Sequence, residues 1–322
     1  MGCADLLDDT MEEKRKRFST GHYAGNKWGG KYLRAPDIFY TILEKGKGKL
    51  VELGKLADVK FGTKTGVNEF FYIDKEKEGK WKIENGFLKP VIKSPKESNQ
   101  ILVDIHSLKL RLFMCGKSKE ELKGSNALKY IEWGEKQKTK DGTKWCNVPS
   151  VSGRKNWYDI SDRRPSLLNF NYLINEYGIT FYGEVFASDN LHQIFTKSDI
   201  DLYLNSTLHW LFQNLFGRVS FGGGLLKIQA FELKKTYVLE VRNNKIREKL
   251  YMRGCKSLFE EIGIDPTKQI REQEPNPLPD RAELDNIIFD ELGLTKEERK
   301  EVYWAVCELV QQRLSKATSL KK

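Results

Sequence analysis

The segment from Ser198 to Arg218, SDIDLYLNSTLHWLFQNLFGR, constrains the fold more than any other stretch of the chain. Leu204, Leu208, Leu211 and Leu215 recur at helical spacing, which predicts a helix laying an apolar stripe against a core. Ser198 and Asp201 stand at capping-box spacing ahead of that stripe, and Gly217 supplies the stop. A second helical signal closes the chain. ELDNIIFDELGL stops at Gly293, and Thr295 with Glu298 caps a last helix. The stripe of that helix is Val302, Val306, Leu309 or Val310, and Leu314. REQEPNPLPDR, with prolines at 275, 277 and 279, is a linker ahead of this pair.

Earlier in the chain the pattern changes to short β-branched and aromatic runs bounded by glycine and proline, which predicts strands. LVELGKLADVKFG and NEFFYID bracket the turn Gly62-Thr63-Lys64-Thr65-Gly66, so a hairpin or strand-loop-strand with a solvated cationic turn is expected. FLKPVIKSP, ILVDIHSLKLRLFM, FYGEVFASD and LLKIQAFELKKTYVL are further extended pieces. The expected class is α+β: a mixed, twisted, sheet-rich part over residues 31–240, then a helical part over 241–322. Residues 1–30, with the basic run Lys14 to Arg17, form a polar lead-in. A chain of 322 residues can bury one large core or two modest ones.

Charge narrows the partner. There are 55 Lys+Arg against 45 Asp+Glu, a net charge of +10, which favours a polyanion and nucleic acid first. The cations recur beside aromatics or glycines in loops: Lys60, Lys64, Arg154, Lys155, Arg163, Arg164, Arg218 and Lys227. Such cations anchor phosphates, while Thr63, Thr65 and Asn68 carry groups that reach base edges. The competing reading is a set of solvated loop charges. Five scattered cysteines without a C-x-x-C pair indicate reduced thiols in a cytosol, and the four histidines lack metal-ligand spacing. No apolar run approaches the roughly 20 residues of a membrane span. The glycine triplet Gly222 to Gly224 belongs to neither phosphate-binding pattern, so it is expected to be a loop that lets backbone approach a neighbouring chain or DNA, or a plain turn. One enzymatic pattern fits on paper: Pro36-Asp37 followed by Asp58-Val59-Lys60, in which two carboxylates would hold magnesium and Lys60 would assist the attacking water.

Four motifs occur in a recognisable order. ADVKFGTKTGVNEFFY, FLKPVIKSP and LNSTLHWLFQNLFGRVSFGGGLLKIQAFELKKTYVL resemble the TaqI-like target-recognition domain of N6-adenine DNA methyltransferases. RAELDNIIFDELGLTKEERKEVYWAVCELVQQRLSKA resembles the helical tail of those bacterial and archaeal restriction-modification proteins, so the likeness runs from Lys31 to Ala317. The resemblance implies double-stranded DNA as partner, with Lys64 on phosphate and Thr63 or Thr65 near bases. It also implies a catalytic domain or subunit elsewhere that binds S-adenosylmethionine and methylates a flipped adenine through a [DNS]-P-P-[YFW] motif. None of the nine prolines here is adjacent to another, so this chain lacks that motif. Asn169-Phe170-Asn171-Tyr172, its nearest lookalike, lacks the prolines and reads as an extended segment. The chain is therefore expected to recognise DNA without catalysing on its own, and to hold neither cofactor nor metal. A magnesium nuclease using Asp37, Asp58 and Lys60 is one alternative. A scaffold assembling modification subunits through the tail after Arg281 is another.

Overall fold

The computed structural model describes residues 34–219 and 224–319. The lead-in through Gly30, and Gly222 and Gly223 of the glycine triplet, lie outside them. The strands of the first half are β1 (Val51–Glu52), β2 (Ala57–Phe61), β3 (Tyr72–Ile73), β4 (Leu88–Ile92) and β5 (Arg111–Phe113). Those of the second half are β6 (Ser166–Asn171), β7 (Leu173–Ile174), β8 (Thr180–Ala187), β9 (Leu191–Thr196), β10 (Arg218–Val219), β11 (Leu226–Lys227) and β12 (Tyr237–Val238). Seven of them make one sheet in the order β2-β9-β6-β8-β4-β5-β3. The junction of β8 with β4 is parallel and every other pairing in it is antiparallel, so the sheet is mixed. Two small sheets, β1-β12 and β10-β11-β7, flank it.

Of the two expected arrangements the hairpin does not form, and a strand-loop-strand does. β2 and β3 are the two opposite edges of the large sheet, and NEFF between them is a helical turn, Asn68–Phe71. Phe70 and Phe71 are both fully buried, and a helical turn buries two consecutive aromatics on one side where a strand would point them to opposite faces. A second extended expectation also gives way: within LLKIQAFELKKTYVL, Ala230–Lys234 is helical, held by a capping box of Gln229 and Glu232.

The expected helix at 198–217 divides at Asn205 and Ser206 into Asp201–Leu204 and Thr207–Phe216. Asn205 causes the break. Its amide accepts from the Thr180 N–H at 3.0 Å and donates to the Thr180 carbonyl at 3.0 Å, pinning the chain to β8. Ser206, not Ser198, is the side-chain cap, accepting from the His209 N–H at 3.2 Å. Asp201 meets Arg247 at 2.8 Å and the Tyr251 hydroxyl at 3.0 Å instead of capping. Gly217 does end the helix. Every residue from Thr207 to Leu215 is buried, so the helix has no solvent face and the leucine stripe is only one part of its contact surface.

Buried apolar side chains fall into two clusters. The larger extends in sequence from Ile38 to Val310 and takes in β2, β6, β8, β9 and the C-terminal helices. The smaller comes from residues 67–160 together with Phe186, around β3, β4, β5 and helix Asn126–Lys136. The boundary expected at residue 240 passes through the larger cluster. Thr295 and Glu298 cap helix Lys296–Ser319 reciprocally, at 3.2 and 2.7 Å. Val302, Val306 and Val310 of its stripe are buried and Leu309 is half-buried, so the tail's apolar face packs into its own chain.

A buried polar network joins that tail to the central helix. Asp285, on helix Pro279–Glu291, accepts from the Thr207 N–H at 2.8 Å and the Thr207 hydroxyl at 2.6 Å, which satisfies the first turn of helix Thr207–Phe216. Arg281 lies 4.3 Å from the Trp210 ring, bonds the Asn205 carbonyl and reaches Glu261 at 3.1 Å. Arg253 clamps the same Glu261. Burial raises the Asp285 carboxyl above its ordinary value, against the opposing pull of Arg281 and the Thr207 groups. Replacing Arg281 with Leu leaves Glu261 and Asp285 short of their buried cation. Urea denaturation is expected to show a loss of about 3–5 kcal/mol; a loss below ~1 kcal/mol would contradict this account of the core.

Candidate nucleic-acid interface

The turn after β2 is not solvated. A Cβ on Gly62 would overlap the Ser188 carbonyl, and the Thr63 N–H donates to the Ala187 carbonyl at 2.6 Å. The turn is therefore laid on the β8–β9 connection, where Thr63 bridges Ser188 in parallel. Gly66 has φ +83°, and a Cβ there would meet Ser150 and Val151 of helix Pro149–Ser152. Thr63 and Thr65 are 1% and 2% exposed, which corrects the expectation that both hydroxyls face outward. Thr65 donates to Asn68 Oδ1 at 2.5 Å, while Thr63 Oγ1 is buried without a partner among the described residues. Arg154 closes the back of the turn. Its guanidinium bonds the Thr65 carbonyl at 2.9 Å and the Lys64 carbonyl at 3.4 Å, and lies 5.4 Å from the Phe71 ring. Its donors are committed to backbone, so it positions the turn; burial lowers its pKa from the usual arginine value. Lys64 is the exposed side chain of the Thr63–Thr65 trio.

The remaining expected cations fall into groups. On one face of edge strand β2, Asp58 and Lys60 alternate with buried Ala57 and Val59. Lys60 and Lys234 each hold the Asp58 carboxylate at 3.0 Å, and their hydrogen bonds, Lys60 first, lower its pKa. Lys60 lies 5.8 Å and Arg164 4.6 Å from the Phe195 ring centroid, so both share one aromatic platform. At the end of the same strand, Lys64 lies 5.7 Å from Phe61, Phe61 packs 5.3 Å from Tyr172, and Lys227 lies 5.1 Å from Tyr172. These two cations sit on an aromatic pair whose floor is His192, whose pKa burial lowers.

Lys155 and Arg163 rim a shallow depression of about 260 Å³ that also includes Arg154, Asp159 and Asp162. Arg163 pairs with Asp162 at 3.4 Å in an exposed contact worth little. Arg218 lies directly across the β10–β11 pair from Lys227, is paired with Glu232 and lies 5.2 Å from exposed Phe231. Arg154 thus links the Lys64 turn to the Lys155–Arg163 loop, while Arg218 adjoins the Lys64–Lys227 group with its charge taken up by Glu232. Sequence reasoning missed Lys234, hidden in a stretch expected to be extended, and the structural use of Arg154. No sequence pattern marks an arginine whose partners are backbone carbonyls 89 and 90 residues away.

The residues of the nuclease pattern stand on two elements, a helix and strand β2. Asp37 opens helix Asp37–Lys45, whereas both Asp58 oxygens are taken by lysines. Among the described residues no three His, Cys, Asp or Glu side chains group so as to hold a metal. At Gly224, the described member of the glycine triplet, φ is +62° and the carbonyl accepts from Arg313. A positive φ suits the plain turn, one of the two expectations for the triplet. None of the described helices is long and apolar enough to cross a membrane.

Replacing Thr63 with Val keeps shape and removes a buried hydroxyl without a partner. That variant is expected to match the parent or gain up to about 1 kcal/mol. Thr65→Val deletes the bond to Asn68 and is expected to lose about 1 kcal/mol. Thermal or urea melts of the two variants check the pair; equal losses would contradict the different bonding of these hydroxyls.

With this geometry in hand, comparison with known proteins gives a family and a fold. The family described as type II methyltransferase M.Eco57I, C-terminal domain, matches residues 25–270. No curated protein sequence matches the chain. Among solved structures, the type IIG restriction endonuclease BpuSI is similar over 95% of this chain and 36% of its own, with a TM-score of 0.60 and 14% identity. The type IIL restriction-modification enzyme MmeI, solved in complex with DNA, matches over 84% of this chain and 34% of its own, at 14% identity and a TM-score of 0.41. At such identity the BpuSI likeness speaks for the fold, and the MmeI likeness carries no argument. The chain spans about a third of the length of each.

Proposed function

The chain belongs to the family of the C-terminal domain of type II methyltransferase M.Eco57I, and on that premise we propose that it recognises a sequence in double-stranded DNA as part of a restriction-modification enzyme. The observation that carries this reading is the pinned turn at Gly62–Gly66. Four of its five residues make close contacts with neighbouring segments, and the fifth, Lys64, projects a cation from a fixed base. A lysine on a rigid support meets a phosphate with less ordering cost than one on a mobile loop. Lys227 beside it, Lys60 and Arg164 on the opposite face of the sheet edge, and Lys155 and Arg163 beyond Arg154 add further cations around that edge. Phosphate contacts of this kind set register on the duplex, and base readout is left to polar groups between them. Exposed Asn68 remains a candidate for that readout; Thr63 and Thr65 act through the shape of the turn.

The modified base in this reading is adenine at N6, and the methyl donor S-adenosylmethionine belongs to a catalytic domain or subunit outside the described fold. The residues present do not fit that donor. There is no pair of adjacent prolines, and the Gly224 backbone is engaged by Arg313. No catalytic step is assigned to this chain.

Binding of the chain to a pool of random duplexes tests the reading. With about six phosphates neutralised, log K is expected to fall against log salt with a slope of about −5. A flat salt dependence, or no binding at low salt, would contradict it. Lys64→Ala is expected to weaken binding to all duplexes alike and to make the slope shallower by about one. An unchanged slope would remove Lys64 from the interface. Calorimetry with S-adenosylmethionine is expected to show no binding to this chain; a micromolar affinity would overturn the assignment of the donor elsewhere.

A further inference from the structure

A cavity of about 550 Å³ opens beside β6 and β7. That volume falls in the range of small-molecule sites, roughly 300–1,000 Å³. Leu173, Ile179, Phe181 and Leu225 give it an apolar lining, and the half-exposed ring of Tyr177 stands at its rim.

Among its polar groups, beside Ser94, Ser98 and Cys255, are three amides with bonding capacity to spare. Asn175 uses Oδ1 on the Tyr177 N–H at 3.1 Å, leaving its NH2 as a donor. Asn190 uses its NH2 on the Lys93 carbonyl at 3.0 Å, leaving Oδ1 as an acceptor. Asn171 donates to the Tyr177 carbonyl at 3.3 Å, and its Oδ1 is buried in the wall without a partner among the described residues. A carbonyl facing Asn171 Nδ2 fixes which amide atom is which, so the orphan is an acceptor. Among the described residues that line the cavity there is no carboxylate, and Lys96 is the one charged residue.

From this set we propose that the cavity is a binding site for a single nucleobase. A flat, uncharged ring with donors and acceptors along its edge matches aromatic and apolar walls edged by amides, because asparagine pairs with adenine-type edges and rings stack on aromatic faces. A phosphate attached to the same nucleotide has Lys96 within the cavity lining and Lys227 over Tyr172, the residue between lining positions Asn171 and Leu173. Arg313, bonded to the carbonyls of Ile174, Asn175 and Gly224, sets this wall from helix Lys296–Ser319. The base comes either from a free nucleoside or from bound DNA as an unpaired base; the second source rests on the DNA reading above, and the first does not.

The test uses the full chain and two kinds of ligand, free nucleosides and duplexes. Calorimetry with adenosine, guanosine, cytidine and thymidine, each alone, reads the free source. Competition between a fully paired duplex and one carrying a single unpaired base reads the DNA source, since extruding a base costs least where it is unpaired. Leu173→Trp fills the mouth at a half-exposed position, and Asn175→Ala removes a donor; melting curves confirm that both fold. Saturable nucleoside binding, weakened at least tenfold in both variants, supports the site with the free source. At least tenfold tighter binding of the unpaired duplex, lost in both variants while paired-duplex affinity is kept, supports it with DNA as source. Neither effect in a folded protein that still binds paired duplex overturns the site and leaves the DNA reading standing. Nucleoside binding without any duplex binding overturns the DNA reading and leaves the site.

Discussion

The contact on which the rest of the structure depends is the buried guanidinium of Arg281, set between the Trp210 ring, the Asn205 carbonyl and Glu261. It sits where the central helix breaks, and the break is what lets Asn205 grip β8 and lets Asp285 cap the helix that follows. A buried charge is tolerated when paired and hydrogen-bonded, and costly when one partner is missing. The network therefore makes the tail, the central helix and the sheet depend on one another. The helices after residue 240 are a wall of the larger core, so the apolar stripe a scaffold would offer to partners is already in use.

Much of this was legible in the residues. Gly217 as a stop, the Thr295–Glu298 cap and the mixed α+β class all follow from local chemistry, and local chemistry decides them in the structure. What failed depended on distant partners. Asn205 reads as one more helical residue until β8 is beside it, and NEFFY reads as a hairpin strand until β3 is found at the far edge of the sheet. Leu309 and Val310 were equal candidates for the last stripe, and packing placed Val310 in the interior.

The candidate interface shows the same division. Its cations were recognisable as residue types in clusters, but sequence could not divide them by task. Arg154 holds backbone, Arg218 is paired with Glu232, and Lys60 shares Asp58 with Lys234. Lys64, Lys155, Arg164 and Lys227 make no ion pair with the described residues and are the cations most available to a polyanion. The threonines between the two glycines serve the turn from inside, and their burial is what gives Lys64 a fixed origin. Charge alone permits a nucleic-acid partner; charge held in place by a sheet edge gives that partner a direction.

Site-directed photocrosslinking tests this most directly. A photoreactive residue is introduced in place of Lys64 and, separately, in place of exposed Tyr40 on helix Asp37–Lys45, and each protein is irradiated with labelled duplex at low salt. The account predicts a covalent adduct from position 64 that disappears as salt is raised, and at most a trace from position 40. Equal yields from both positions, or none from position 64 in a protein that binds the duplex, would contradict it.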